Sequence, residues 1–193
     1  MRLSEKKKII VKIGAGIMSL FLIVGIAAPA HAYTTTGAYI VNKINFIPSS
    51  SFGSATIKAF NDALYPWNAA SGRSLMSRSA TTTHNSLVYP QDDGKSYIYK
   101  TYAYNDYVAQ CAWYADAGVT TSADININPY YAWANSAQPG SYDVWSVFMH
   151  EAGHAAGLNH SSLRAAVMFG TVYTNELKRG LHSDDIAGIQ AIY

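Results

Sequence analysis

HEAGHAAGLNH, running from His150 to His160, packs a helix, its stop signal and three imidazoles into eleven residues. His154 follows His150 by four positions, so on a helix both rings leave the same face one turn apart and can reach one ion. Glu151 stands next to His150, where its carboxylate can lie beside that ion without ligating it. Gly157 comes where the helix has to end, because glycine just past a helix C-terminus adopts the left-handed turn that other residues resist. That turn can swing His160 back as a third ligand. Three histidines leave the fourth position of a tetrahedral zinc to water, which is the arrangement of a catalytic site. A bare His-Glu-x-x-His often arises by chance on a solvated helix. Gly157 and His160 at fixed offsets make chance a poor account here. A purely structural zinc is disfavoured as well, since no fourth ligand stands nearby.

These parts fit peptide hydrolysis. A zinc site of this kind makes its water acidic, with a pKa near ~7, and polarises a substrate carbonyl. Glu151 would accept the water proton as general base and pass it to the leaving amine.

Outward from this stretch, Pro139-Gly140 breaks the chain ahead of a helix predicted over about residues 142–158. Residues 39–46 (YIVNKINF) read as a strand that stops at Pro48. Residues 54–70 place Ile57, Phe60, Leu64 and Trp67 at helical spacing, with Pro66 predicting a kink or an early end. The middle, residues 75–129, reads as β. Its strand-like runs are 97–104 (YIYKTYAY), 108–114 (VAQCAWY) and 124–128 (DININ), with Asp92-Asp93-Gly94 as a turn. A last helix is predicted after Ser183, which suits an N-cap, with Asp184 and Asp185 in its first turn. The order of elements predicts one α+β domain.

A chain of 193 residues has room for one such domain, and 49% hydrophobic against 13% charged residues excludes disorder. Cys111 is the only cysteine, so neither an intramolecular disulfide framework nor a cysteine-based zinc finger can form. The formal charge of +2 is unevenly spread. Arg2, Lys6, Lys7, Lys8 and Lys12 precede an uncharged run that ends at Ala28, and Ala30-His31-Ala32 follows. This is the layout of a secretory signal peptide over residues 1–32, cleaved after Ala32. The apolar run of 16 residues is short of the roughly 20 that a membrane anchor needs. Without the signal, residues 33–193 carry nine bases and eleven acids, a charge of −2. Nucleic-acid binding thereby loses its only support. The expectation is a secreted monomer with a protein or peptide substrate and no membrane partner once the signal is gone.

The pattern HExxHxxGxxH resembles the zinc signature of the metzincin peptidases. Ser161 after the third histidine is similar to the matrixins among them. Ala165-Ala166-Val167-Met168-Phe169-Gly170 resembles their Met-turn, with Met168 beneath the zinc, and residues 181–193 resemble their last helix down to a DDIxGIQ core. The resemblance implies a peptidase M10-type fold: a twisted, mixed five-stranded sheet with two helices, then a small C-terminal subdomain with the Met-turn and a third helix. It also implies that residues 108–116 form an edge strand pairing with extended substrate. Residues 124–128 would be the strand before the active-site helix, and residues 167–173 would line the pocket for the residue after the scissile bond. Asp184 and Asp185 would brace the Met-turn and the start of the chain. The departures suggest a compact, bacterial-type member without a cysteine-switch propeptide. Tyr33 follows the signal directly, and Cys111 sits in a predicted strand as a small hydrophobe. The middle lacks loops rich in histidine and aspartate, His84 standing alone as a surface or core residue. No motif therefore supports calcium beside the one catalytic zinc.

The resulting expectation is a secreted zinc metalloendopeptidase. His150, His154 and His160 hold the metal, Glu151 is the base, and Gly157 and Met168 support them. One alternative is a narrow-specificity peptidase that matures another secreted protein. Another is a non-catalytic secreted binding protein that keeps the zinc fold and uses Trp113, Tyr114, Tyr130, Tyr131 and Trp133 as its contact face. An intact Glu151 counts against the binder. Otherwise these aromatics read mostly as core or sheet surface, with substrate binding as the lesser alternative, and His182 as a residue before a helix cap rather than a ligand.

Overall fold

Residues 31–81, 90–102 and 107–193 are described in the computed structural model of the chain. The signal segment lies outside them except for His31 and Ala32, as do His84 and Tyr104. Strand β1 (Ile44–Pro48) turns Ile44, Phe46 and Pro48 inward and exposes Asn45, the period-two pattern of a strand with one covered face. The sheet continues with β2 (Met76–Arg78), β3 (Ser96–Tyr99), β4 (Ala109–Asp116) and β5 (Val119–Ile127). Its order is β2-β1-β3-β5-β4. β1 runs parallel to β2 and β3, β3 runs parallel to β5, and β4 alone is antiparallel. The mixed five-stranded sheet and the edge position of β4 are as the sequence suggested. The β4–β5 hairpin closes through Ala117 and Gly118, both at positive φ, the conformation that two-residue hairpin turns require.

The first strand starts later than expected, at Ile44 rather than Tyr39. Tyr39 pairs instead with the start of β5: its N–H donates to the Gly118 carbonyl at 2.9 Å, and its carbonyl accepts from the Thr120 N–H at 2.8 Å. A bend at Val41 and Asn42 then carries the chain to its place between β2 and β3.

Helix α1 (Ser54–Ser71) runs through Pro66, so the expected early end is not seen. Tertiary packing outweighs the lost backbone hydrogen bond there. Trp67 is completely buried and donates its indole N–H to the Met149 carbonyl at 2.9 Å. About two turns earlier, the Phe60 ring lies 4.7 Å from that of Phe148. Both contacts clamp α1 onto helix α2 (Val144–Ala155), which is shorter than predicted at each end. Ahead of α2, Tyr142–Asp143 forms the short strand β7, paired with β6 (Trp133–Ala134). Asp143 caps the helix, accepting from the Ser146 N–H at 2.9 Å and from Arg179 Nε at 3.0 Å. Burial alone would raise its carboxyl, but the bonds from Arg179 and Ser146 prevail and hold it below the ordinary range.

Helix α3 (Ser183–Ile192) packs on α1. Its cap is His182, not Ser183, because Ser183 already has helical backbone while His182 is extended. His182 Nδ1 accepts from the Asp184 N–H at 3.1 Å, and its own N–H donates to Asp185 at 2.8 Å. Among the described residues, no helix is long and apolar enough to cross a membrane.

Candidate metal centre and cleft

α2 presents His150 and His154 from successive turns, and the segment after the helix returns His160 to them. Three residues thus converge with ligand atoms inside 4.8 Å of one another. The Nε2 atoms of His150 and His154 are 3.2 Å apart, as are those of His154 and His160. Zinc–nitrogen bonds of about 2.05 Å at tetrahedral angles would place the nitrogens about 3.3 Å apart. The far side of two rings is equally informative. His150 Nδ1 lies 2.7 Å from the Val167 carbonyl and His154 Nδ1 lies 2.8 Å from the Leu158 carbonyl. A carbonyl only accepts, so each Nδ1 carries the proton and each Nε2 keeps its lone pair for the centre. Lone pairs facing each other at hydrogen-bond distance repel unless a cation stands among them. The donor set therefore fits zinc.

The return of His160 depends on how α2 stops. The Gly157 N–H donates to the His154 carbonyl and the Leu158 N–H to the Gly153 carbonyl, both at 3.0 Å, with Gly157 at φ +97°. That pair of bonds is the Schellman termination. Below the helix, Met168 is buried with its sulfur against the Cα of Gly153, in the turn between the two helical histidines. Asp185 fixes this segment by accepting from the Val167 N–H at 2.9 Å and the Met168 N–H at 3.0 Å. Asp184 accepts from the Ala32 N–H at 2.7 Å and from Ser161 Oγ at 2.7 Å, joining the described start of the chain to the residue after His160.

In the metal-free protein, burial pushes His150 down to about 3 and His154 to about 4, and it lowers His160 too. Burial lifts the Glu151 carboxyl to about 8, with a hydrogen bond from the Cys111 backbone pulling the other way. These displacements have opposite consequences for stability. Each histidine binds its proton more readily when unfolded, so its contribution is complete above about 6.5 and is lost as pH falls toward 4 and 3. Glu151 binds its proton more readily when folded, so its contribution is complete below about 4.5 and is lost as pH rises to 8. Between about pH 4.5 and 6.5 the histidines outweigh the one glutamate and stability rises with pH, and above 6.5 the glutamate prevails. Chelator-treated protein is therefore expected to resist urea best near pH 6.5. A resistance that rises steadily from pH 5 to pH 9 would contradict this account.

A cleft of about 450 Å³ opens over the three histidines and Glu151. β4 supplies one wall through Ala109, Gln110 and Cys111, and Gly170, Thr171 and Val172 line it from the segment after Met168. Cys111 is half-buried and packs against the core, as expected of a small hydrophobe, and burial raises its thiol. The aromatic group singled out in sequence divides. Trp113 packs on the core from β4. Tyr130, Tyr131 and Tyr142 instead stack in series, with centroids 5.3 and 5.5 Å apart, and Trp133 leans on Tyr142. Sequence reasoning missed Tyr142 and Tyr107 in this region, and it missed the two carbonyls that orient the rings. Only the rule that a ligating histidine needs a partner for its second nitrogen could have pointed to the carbonyls.

The family model for Matrixin, peptidase M10, matches residues 49–193, three quarters of the chain and the whole of the site. The chain belongs to the matrixin family. Its relatives among known matrixins and metalloendoproteinases include Metalloendoproteinase 1 of Glycine max, 31% identical over 105 residues, which make up 54% of this chain and 31% of that protein. Metalloendoproteinase 2-MMP of Arabidopsis thaliana is 45% identical over 51 residues, 26% of this chain and 14% of that one. Neutrophil collagenase of Homo sapiens is 36% identical over 77 residues, 39% and 16% respectively. This matrixin chain thus spans less than a third of the length of these relatives. Matrixins use zinc, in keeping with the nitrogen cluster described above.

Proposed function

We propose that the chain is a secreted zinc endopeptidase, in which His150, His154 and His160 hold the metal and Glu151 is the general base. The observation that carries this reading is the two Nε2 separations of 3.2 Å from His154 to His150 and to His160, with the Nδ1 protons of His150 and His154 committed to backbone carbonyls. When bound there, zinc supplies Lewis acidity and a positive charge that lowers the pKa of water and of a neighbouring carboxyl. The protein's own residues do the rest. β4, an edge strand, offers its unpaired backbone groups to an extended peptide along the cleft wall. Glu151 takes a proton from the attacking water and delivers it to the departing nitrogen, while the tetrahedral carbon collapses to a carboxylate. Gly157 sets the turn that returns His160, and Met168 fills the space under the helical histidines.

Residues 1–32 act as the export signal in this reading, and residues 33–193 as the catalytic domain. N-terminal sequencing of protein recovered outside the producing cell is expected to begin at Tyr33. The activity is tested by digesting an unfolded protein with zinc quantified. About one zinc per chain, cleavage lost on chelation, and cleavage restored by zinc are expected. Absence of zinc, or cleavage indifferent to chelator, would overturn the proposal.

A further inference from the structure

We propose that Tyr107, Tyr131 and Tyr142 form a subsite for an aromatic side chain of the substrate, about three residues from the bond that is cut. This rests on the reading of the cleft as a peptidase site. All three tyrosines line the same cleft as the histidines. Tyr142 immediately precedes Asp143, the cap of α2, whereas His150 lies in the second turn of that helix. At about 1.5 Å per residue, the start of the helix is about 10 Å from His150. A peptide extended along β4 advances about 3.3 Å per residue, so about three residues cover that distance. Tyr107 lines the cleft just before β4, four residues ahead of Cys111, whose backbone bonds Glu151.

The rings are arranged to receive a third. Tyr131 and Tyr142 meet at 84°, and Tyr130 meets Tyr131 at 90°. Both Tyr131 and Tyr142 are half-buried, so their positions are fixed before a ligand arrives. An incoming aromatic ring extends an edge-to-face series at little cost in side-chain freedom. The cleft offers few charged groups to the substrate. Among the described residues, no lysine, arginine or aspartate lines it, and Glu151 is its one carboxylate. A substrate carboxylate there would lose water with no basic side chain to meet it, and a cation would meet only ring faces and hydroxyls.

The test uses the zinc-loaded protein and a set of peptides sharing one cleavage site. Phenylalanine, alanine and lysine are walked through the five positions on either side of that site. A kcat/KM for phenylalanine at least about tenfold above alanine is expected at a position about three residues from the cut, with lysine well below phenylalanine. Tyr131→Leu is expected to bring the ratio at that position toward one, and Tyr131→Phe to preserve it. Tyr65→Ala, on the outer face of α1, is expected to leave it alone. Cleavage of all peptides without an aromatic preference beyond the residues flanking the cut overturns the subsite and spares the peptidase reading. Cleavage of none overturns both. If Tyr131→Leu fails to fold, the wild-type comparison among peptides still decides.

Discussion

Glu151→Ala is expected to lower kcat/KM for peptide cleavage by about 10²–10⁴-fold or more, while zinc content stays at about one per chain. The two effects separate because the carboxylate stands outside the group of three converging nitrogens. It is buried beside His150, with a hydrogen bond from the Cys111 backbone of β4. Replacing it removes the proton acceptor without touching a ligand or a ring-orienting carbonyl. Glu151→Gln sharpens the test, since the amide oxygen still accepts from Cys111 but the group cannot take a proton. The same substitutions make an independent mark on the metal-free protein. The fall in stability between pH 6.5 and 8 assigned to this carboxyl should flatten. Activity near the wild-type level in a variant that keeps its zinc would eliminate Glu151 as the base.

Gly157→Ala is expected to destabilise the fold by about 3 kcal/mol or more and to weaken zinc binding with it. A side chain at φ +97° is strained in any surroundings, and here the surroundings are full. An added Cβ would collide with the carbonyl oxygen of Ala38 and reach the Ile192 side chain at 3.4 Å. The obstacle is backbone on a segment pinned by the Tyr39 pairing with β5, so it cannot rotate away. Displacing Gly157 also breaks the termination of α2 that returns His160. Denaturant unfolding and zinc titration should therefore move together. Unchanged stability and zinc affinity in the Gly157→Ala protein would show that the turn is not the hinge on which the third ligand hangs.

The site was legible in sequence because a metal centre of this kind is mostly local. His150, His154, Gly157 and His160 sit within three turns' worth of chain, and helix geometry converts their spacing into direction. α1 was legible for the same reason, its apolar stripe being Phe60, Leu64 and Trp67. Pro66 misled because its local cost was weighed without the indole bond from Trp67 to Met149, a partner 82 positions away. The start of β1 misled because residues 39–46 suit a strand throughout, and only the pairing of Tyr39 with β5 shows where the chain bends. Ser183 lost the cap to His182 because both can accept a bond, and backbone conformation decides between them. The aromatic group divided because residue type does not say which wall of a cleft a ring faces.

The hydroxyl of Tyr193 accepts from the Ile40 N–H at 2.8 Å and donates to the Ala156 carbonyl at 3.0 Å, beside the turn through Gly157. The bond to Ile40 closes a loop of 153 positions. Closing so long a loop costs entropy before the contact returns anything, and high contact order slows folding. Docking of α3 is therefore expected to come late in folding, and the turn before His160 to stiffen with it. Until α3 docks, the turn that returns His160 lacks the bond from Tyr193 to the Ala156 carbonyl.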